Sequence, residues 1–174
     1  LGSPEVAREL LRAGVRGLGD SRVENLEALR RRGIEATLTL VRSPMVSQAE
    51  RVVRAADISC NTELEVLRHL SSAAVRRGVT HRVILMVELG DLREGVLPID
   101  VPMVVDHILR MPGIELHGLG TNLACQSGVV PDAVNMAELS RLASGIAERF
   151  GITMDVVSGG NSANLDWALD RGSD

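Results

Sequence analysis

The sequence predicts an α/β protein built as a series of parallel β/α units, and three observations carry that reading. Short apolar stretches alternate strictly with longer amphipathic ones across loops of a few residues, which is the pattern of consecutive βαβ units. Residues 83–87 are apolar without two-residue alternation, as expected of a strand buried on both faces of a parallel sheet. Nearly every strand ends in polar material: Asp20-Ser21-Arg22, Arg42-Ser43, Cys60-Asn61, Asp91 and Arg93, Thr121-Asn122, and Ser158 with Asn161 and Ser162. A doubly wound sheet gathers its site at one switch point, whereas a barrel draws on every strand end. Pattern alone leaves both architectures open; the strand ends favour a (β/α)8 TIM-type barrel.

The first helix opens at Ser3-Pro4-Glu5, with a capping hydroxyl, a proline in the first turn and an early acid. It runs through Arg12 and stops at Ala13-Gly14. Residues 15–19 read as a short strand, and Asp20-Ser21-Arg22 turns into a helix over 23–32 that Gly33 closes. Residues 36–41 form the next strand, ended by Arg42-Ser43-Pro44, and 47–55 a helix. After a minimal strand at 57–59, Asn61-Thr62-Glu63 caps a long helix that reaches Arg77 and ends at Gly78. His81 precedes the 83–87 strand, and a helix over 101–109 is ended by Pro112-Gly113. Residues 115–120 are a strand, 133–150 a long helix ended by Gly151, 154–157 the last strand, and 163–169 a final helix. Six strands, each followed by a helix, are too few to close an eight-stranded barrel. Residues 1–174 are therefore expected to be one partial barrel domain, with one strand missing in front and at least one behind.

Composition narrows the functional classes. A net charge of -4 offers no basic footprint for nucleic acid, and no apolar run approaches the length of a membrane span. There is no signal pattern, and Cys60 and Cys125 are too few for a disulfide framework, so a reducing cytoplasm is the expected setting. All 19 basic residues are arginine; with no lysine, these residues cannot form a Schiff base.

The clearest ligand loop is Ser158-Gly159-Gly160-Asn161-Ser162. Its glycines let the backbone approach an anion, and hydroxyls and amides at a helix start supply donors where the dipole favours negative charge. It is neither a Walker loop nor a GxGxxG loop, and a plain glycine turn with a serine cap is the structural alternative. If it follows the seventh barrel strand, where phosphate sites gather, one strand is missing in front, in agreement with the helical start. Arg93, on the loop after the 83–87 strand, suits a carboxylate or phenolate oxygen; alternatively it pairs with Glu94 or Asp91. His69 and His107 fall in helices and His117 inside a strand, so no histidine is assigned to catalysis. Cys60 and Cys125 read as small buried apolar groups, and no constellation has metal-ligand character.

Four segments, in this order and spacing, resemble the alanine-racemase-type barrel family of pyridoxal-phosphate enzymes, most closely its ornithine and related amino-acid racemase branch. They are Gly19-Asp20-Ser21-Arg22-Val23-Glu24-Asn25-Leu26, Val87-Glu88-Leu89-Gly90-Asp91-Leu92-Arg93-Glu94-Gly95, Gly118-Leu119-Gly120-Thr121-Asn122-Leu123-Ala124-Cys125 and Val157-Ser158-Gly159-Gly160-Asn161-Ser162. The resemblance implies pyridoxal 5'-phosphate at the barrel mouth, its phosphate held at Ser158, Gly159, Gly160, Asn161 and Ser162. It implies that Arg93 lies beside the cofactor's phenolic oxygen and the substrate carboxylate. Asn122 stands where family members carry a histidine after a threonine, and a supporting polar contact is expected of it. The family's Schiff-base lysine would lie upstream of Leu1, and its C-terminal β domain, with a catalytic tyrosine, beyond Asp174. Residues 1–174 alone are thus expected to be inactive. The full-length parent is expected to be a homodimeric racemase of a basic or small amino acid. The alternative is a non-catalytic pyridoxal-phosphate homeostasis protein, which shares the barrel and a segment like Arg22-Val23-Glu24. Lyase or aldolase chemistry would require a metal site that the sequence does not offer.

Overall fold

A computed structural model of the chain describes residues 3–123, 129–159, 164, 165 and 169. Its elements, in order, are α1 (Pro4–Arg12), β1 (Gly17–Asp20), α2 (Val23–Arg31), β2 (Thr37–Leu40), a 3-10 turn (Val46–Gln48), α3 (Ala49–Ala55), β3 (Ile58–Asn61) and α4 (Leu64–Arg77). There follow β4 (His81–Met86), α5 (Val101–Leu109), β5 (Ile114–Gly120), α6 (Ala133–Phe150) and β6 (Val156–Ser158). The six strands are parallel and lie in the sheet in chain order, β1-β2-β3-β4-β5-β6. A doubly wound sheet must reverse its order at a switch point. Here there is no reversal, and the fold is a partial (β/α)8 barrel.

Two compact units divide the chain. The first comprises Leu1–Val83 with Ile108–Glu115. Leu18, Leu38 and Leu40 of its strands and Leu26, Leu29, Leu67 and Leu70 of α2 and α4 are buried and form its core. Gly17 to Asp20 pair in register with Thr37 to Leu40, and Thr39-Leu40 with Ile58-Ser59. The second unit comprises Ile84–His107 with Leu116–Asp174. Leu85, Val87, Leu119 and Leu123 are buried in it, with Met136, Leu139, Ala143 and Ile146 along one face of α6. Gly118, Leu119 and Gly120 pair with Val156, Val157 and Ser158.

Several element bounds differ from those the sequence suggests, each for a local reason. Val15 is tied back to α1, its N–H donating to Leu10 O at 3.0 Å beyond Gly14 at φ 93°, so β1 begins only at Gly17. The helix expected from Ser47 starts as a 3-10 turn, fastened by Met45 N donating to Gln48 Oε1 at 3.0 Å. Asn61 does not cap α4. It ends β3, and its Nδ2 turns back to Ser59 O and Ser59 Oγ, leaving Glu63 as a cap without a side-chain bond. His81 lies inside β4, because its N–H donates to Gly113 O at 2.9 Å and Ser59 provides its ring with a buried partner. β6 extends to Ser158, whose carbonyl receives Thr121 N. α5 and α6 fall where expected; the final 163–169 helix lies largely outside the described residues.

Candidate functional site

The loop after β4 is closed at its base by main chain. Glu88 N donates to Val96 O at 2.9 Å and Val96 N to Met86 O at 2.8 Å, and Val87 and Val96 form a parallel bridge. That closure needs glycine at its return point: Gly95 has φ 137°, and a Cβ there would run into Glu88 N and Val87 C. Within the loop, Glu88 Oε1 accepts from Gly90 N at 2.5 Å, and Leu92 adopts the left-handed conformation at φ 52° with its side chain 87% exposed. Non-glycine residues rarely take that conformation, and Leu92 gains no burial from it. It carries the chain into Arg93, whose Nη2 donates to Glu94 Oε1 at 2.7 Å and whose Nε lies 3.5 Å from Asp91 Oδ2. Both pairings considered from sequence are therefore present. The partners sit deeper than an ordinary surface pair: Asp91 is 1% exposed, Glu94 18% and Arg93 35% in their side chains.

Thr121 gathers the other strand ends of this unit. Buried at the end of β5, it donates from Oγ1 to Val87 O and from its N–H to Ser158 O, both at 2.9 Å. Val87 N in turn donates to Gly120 O at 2.7 Å. The ends of β4, β5 and β6 are thus tied to one residue that sequence reasoning did not assign; its signal was a threonine directly after an apolar strand. Beside it, Asn122 Nδ2 reaches Glu94 Oε1 at 3.5 Å, so Glu94 joins the two expected catalytic positions, Arg93 and Asn122. Ser158 ends β6, and Gly159 follows. A Cβ on Gly159 would meet Asn164 Nδ2 at 2.7 Å and Met136 Sδ at 2.8 Å, so this position has no room for a side chain. Gly160, Asn161 and Ser162, and likewise Cys125, lie outside the described residues.

In the first unit, the ends of β1 and β2 border a cleft of about 390 Å³ lined by Ser21, Arg22, Glu24, Arg42 and Ser43 among others. Glu24 is held by Arg51 at 2.9 Å. Asp20 is buried beneath the turn into α2, its Oδ1 accepting Arg22 N and Asn25 Nδ2. His81 Nε2 lies 2.8 Å from Ser59 Oγ, and burial pushes the ring down to about 4. Of the other histidines, His69 contacts Glu65 and His107 contacts Met103 O within their helices, while His117 Nδ1 lies 3.1 Å from Asp155 Oδ2, 38 residues on. Cys60 is a buried thiol.

Residues 1–172 match the family model described as alanine racemase, N-terminal domain. The chain belongs to this family. It is 37% identical over 169 residues to an ornithine racemase of Acetoanaerobium sticklandii, covering 97% of this chain and 47% of that protein. It is 32% identical over 174 residues to a lysine racemase of Thermotoga maritima, covering 99% of this chain and 48% of that one. The alanine racemase N-terminal domain seen here thus spans about half the length of the curated relatives it matches. Among solved structures, PipY of Synechococcus elongatus PCC7942 with PLP bound superposes with a TM-score of 0.81 at 19% identity, covering 98% of this chain and 82% of PipY. Alanine racemase of Clostridium difficile 630 gives 0.80 at 19% identity, covering 95% and 44%. These two likenesses establish the fold.

The residues of this domain fit the family's cofactor. A guanidinium held by the buried Asp91 and the partly shielded Glu94, an amide one strand away and a glycine whose site has no room for a Cβ form a donor set for a ligand with anionic oxygens. Pyridoxal phosphate is such a ligand.

Proposed function

We propose that the protein containing this chain is a pyridoxal-phosphate-dependent racemase of an amino acid with a basic side chain, working as a cytoplasmic homodimer. The observation that carries the reading is Arg93, clamped between Asp91 and Glu94 on the loop after β4 and linked through Glu94 to Asn122. Similarity to an ornithine and a lysine racemase supports the substrate class. So does local charge: Glu88, Asp91 and Glu94 against one Arg93 leave this loop negative, which favours a substrate with a second ammonium.

The residues would divide the work as follows. Arg93 binds an anionic oxygen of cofactor or substrate and fixes its orientation, with Asp91 and Glu94 preventing the guanidinium from swinging away. Ser158, Gly159, Gly160, Asn161 and Ser162 would hold the phosphate, with Thr121 fixing the start of that loop through Ser158 O. When bound, pyridoxal phosphate supplies the electron sink that makes loss of the α-proton feasible. The chain contains no lysine, so these 174 residues hold the cradle without a Schiff-base donor and are inactive by themselves.

The test is to express the full-length protein, load it with pyridoxal phosphate and follow D- and L-ornithine, lysine and alanine by chiral chromatography. Racemisation of ornithine or lysine ahead of alanine is the expected result. Cofactor binding without racemisation of any of them would overturn the reading in favour of a binding protein. Racemisation by residues 1–174 alone would overturn the inactivity of this segment.

A further inference from the structure

Deepening the racemase reading, on which it rests, we propose that Glu94 is a positioning residue that holds Arg93 and Asn122 in a single arrangement. One carboxylate oxygen, Oε1, receives Arg93 Nη2 at 2.7 Å and Asn122 Nδ2 at 3.5 Å. A carboxylate has enough lone pairs to accept several donors, which a neutral side chain of the same length offers less well. The two donors come from different strand ends, the loop after β4 and the residue after Thr121, so the link is not a helical or adjacent-residue accident on both sides. An exposed ion pair would carry little weight. The Arg93 side of this pair is exposed, but Glu94 is only 18% exposed in its side chain and is tied to Asn122 as well, and its backbone follows a left-handed Leu92 whose own side chain gains no burial. The unusual backbone therefore serves residues 93 and 94. Asp91, 1% exposed and 3.5 Å from Arg93 Nε, holds the other side of the guanidinium, so that Glu94 sets its rotation and ties it to β5.

Glu94 acts through its neighbours, and the experiment is a double-mutant cycle in the full-length protein loaded with pyridoxal phosphate. E94A, E94Q, R93A and R93A/E94A are compared for ornithine kcat and KM, and separately for pyridoxal phosphate affinity by absorbance titration. E94A is expected to weaken kcat/KM by about tenfold, the order of one charge-assisted contact, with E94Q between it and wild type. In the R93A background, E94A is expected to cost almost nothing further. Additive losses in R93A/E94A would overturn the proposal, since Glu94 would then act independently of Arg93. If E94A does not fold, E94Q and R93A/E94Q form the cycle. If the wild type binds cofactor but racemises nothing, the racemase reading falls, and the same cycle read on cofactor affinity still decides the role of Glu94. Failure to bind pyridoxal phosphate at all would overturn both.

Discussion

His81 is the residue whose chemistry can be followed furthest into a measurement. It is 2% exposed at the start of β4, and its Nε2 is 2.8 Å from Ser59 Oγ. Ser59 Oγ also accepts Asn61 Nδ2 at 2.9 Å, so the hydroxyl has its own proton to give to the ring. That order of donors requires a neutral imidazole accepting at Nε2. Protonating it would place a second donor against a hydroxyl already supplied with one, in a site stripped of water. Burial is the main cause that lowers the ring from 6.5 to about 4; Asp57 opposes it and Arg82 adds to it. The unfolded chain takes up this proton near 6.5 and the folded chain only near 4, so the unfolded state binds more protons throughout that window. Stability from this group is complete above pH 6.5, falls as pH drops through the window, and levels off below 4. At about 1.4 kcal/mol per pH unit, the interval amounts to about 3 kcal/mol, an upper figure because carboxylates titrate nearby. The assay is urea unfolding of the full-length protein and of H81Q at steps between pH 7.5 and 4. Wild type should lose stability faster than H81Q as pH falls, with the difference growing below about pH 6.5. Parallel profiles for the two proteins would refute the buried neutral imidazole.

Other perturbations separate the loop from the scaffold. G95A should collapse the return of the β4 loop, because a Cβ meets the main chain of residues 87 and 88 at φ 137°; loss of pyridoxal phosphate affinity by at least about tenfold, with cooperative unfolding retained, is the expected outcome. T121V keeps the β-branched shape but leaves Val87 O without its hydroxyl donor, and should lower unfolding free energy by about 1–3 kcal/mol in urea titration. Glu27 accepts from Arg51 at 2.7 Å and from Arg54 at 2.7 Å, and those bonds, Arg51 first, hold its carboxyl down to about 2. Its contribution is present above pH 4.5 and lost as pH falls toward 2, so E27Q should be less stable than wild type at pH 7 and flatter in that acid range.

The succession of elements was legible because each strand is a short apolar run and each helix an amphipathic one, and both signals are local. The bounds were not, because partners distant in sequence set them. Val15 looks like the first residue of a strand, yet Leu10 O captures its N–H, and pairing with Thr37 starts β1 at Gly17. Asn61 has the composition of a helix cap, but sheet register keeps it in β3 and its amide turns to Ser59. His81 reads as a polar residue ahead of a strand, and only Ser59, 22 residues away, makes its burial tolerable. The same division holds in the candidate site. The pairing of Arg93 with Asp91 and Glu94 joins near neighbours and could be anticipated, whereas the reach of Asn122 to Glu94 spans 28 residues and could not.

The site depends on how closely its strands approach below the loops. On β5, glycine recurs at 118 and 120, and a Cβ on Gly120 would press within 3.2 Å of Ile84 Cγ2 and of Met86 Sδ. β4 thus fills the space that β5 leaves, while Leu119 between the two glycines is fully buried on the other face. This packing sets the distance at which Thr121 can reach both Val87 O and Ser158 O with its hydroxyl and its N–H. A larger residue at 120 would push the β4 end away and lengthen the first of those bonds. The loops above would then lose their common anchor before any ligand-contacting side chain had been altered. The unfavourable backbone of Leu92 is sustained by that anchoring, since a loosely held loop would relax out of the left-handed region and take Arg93 with it.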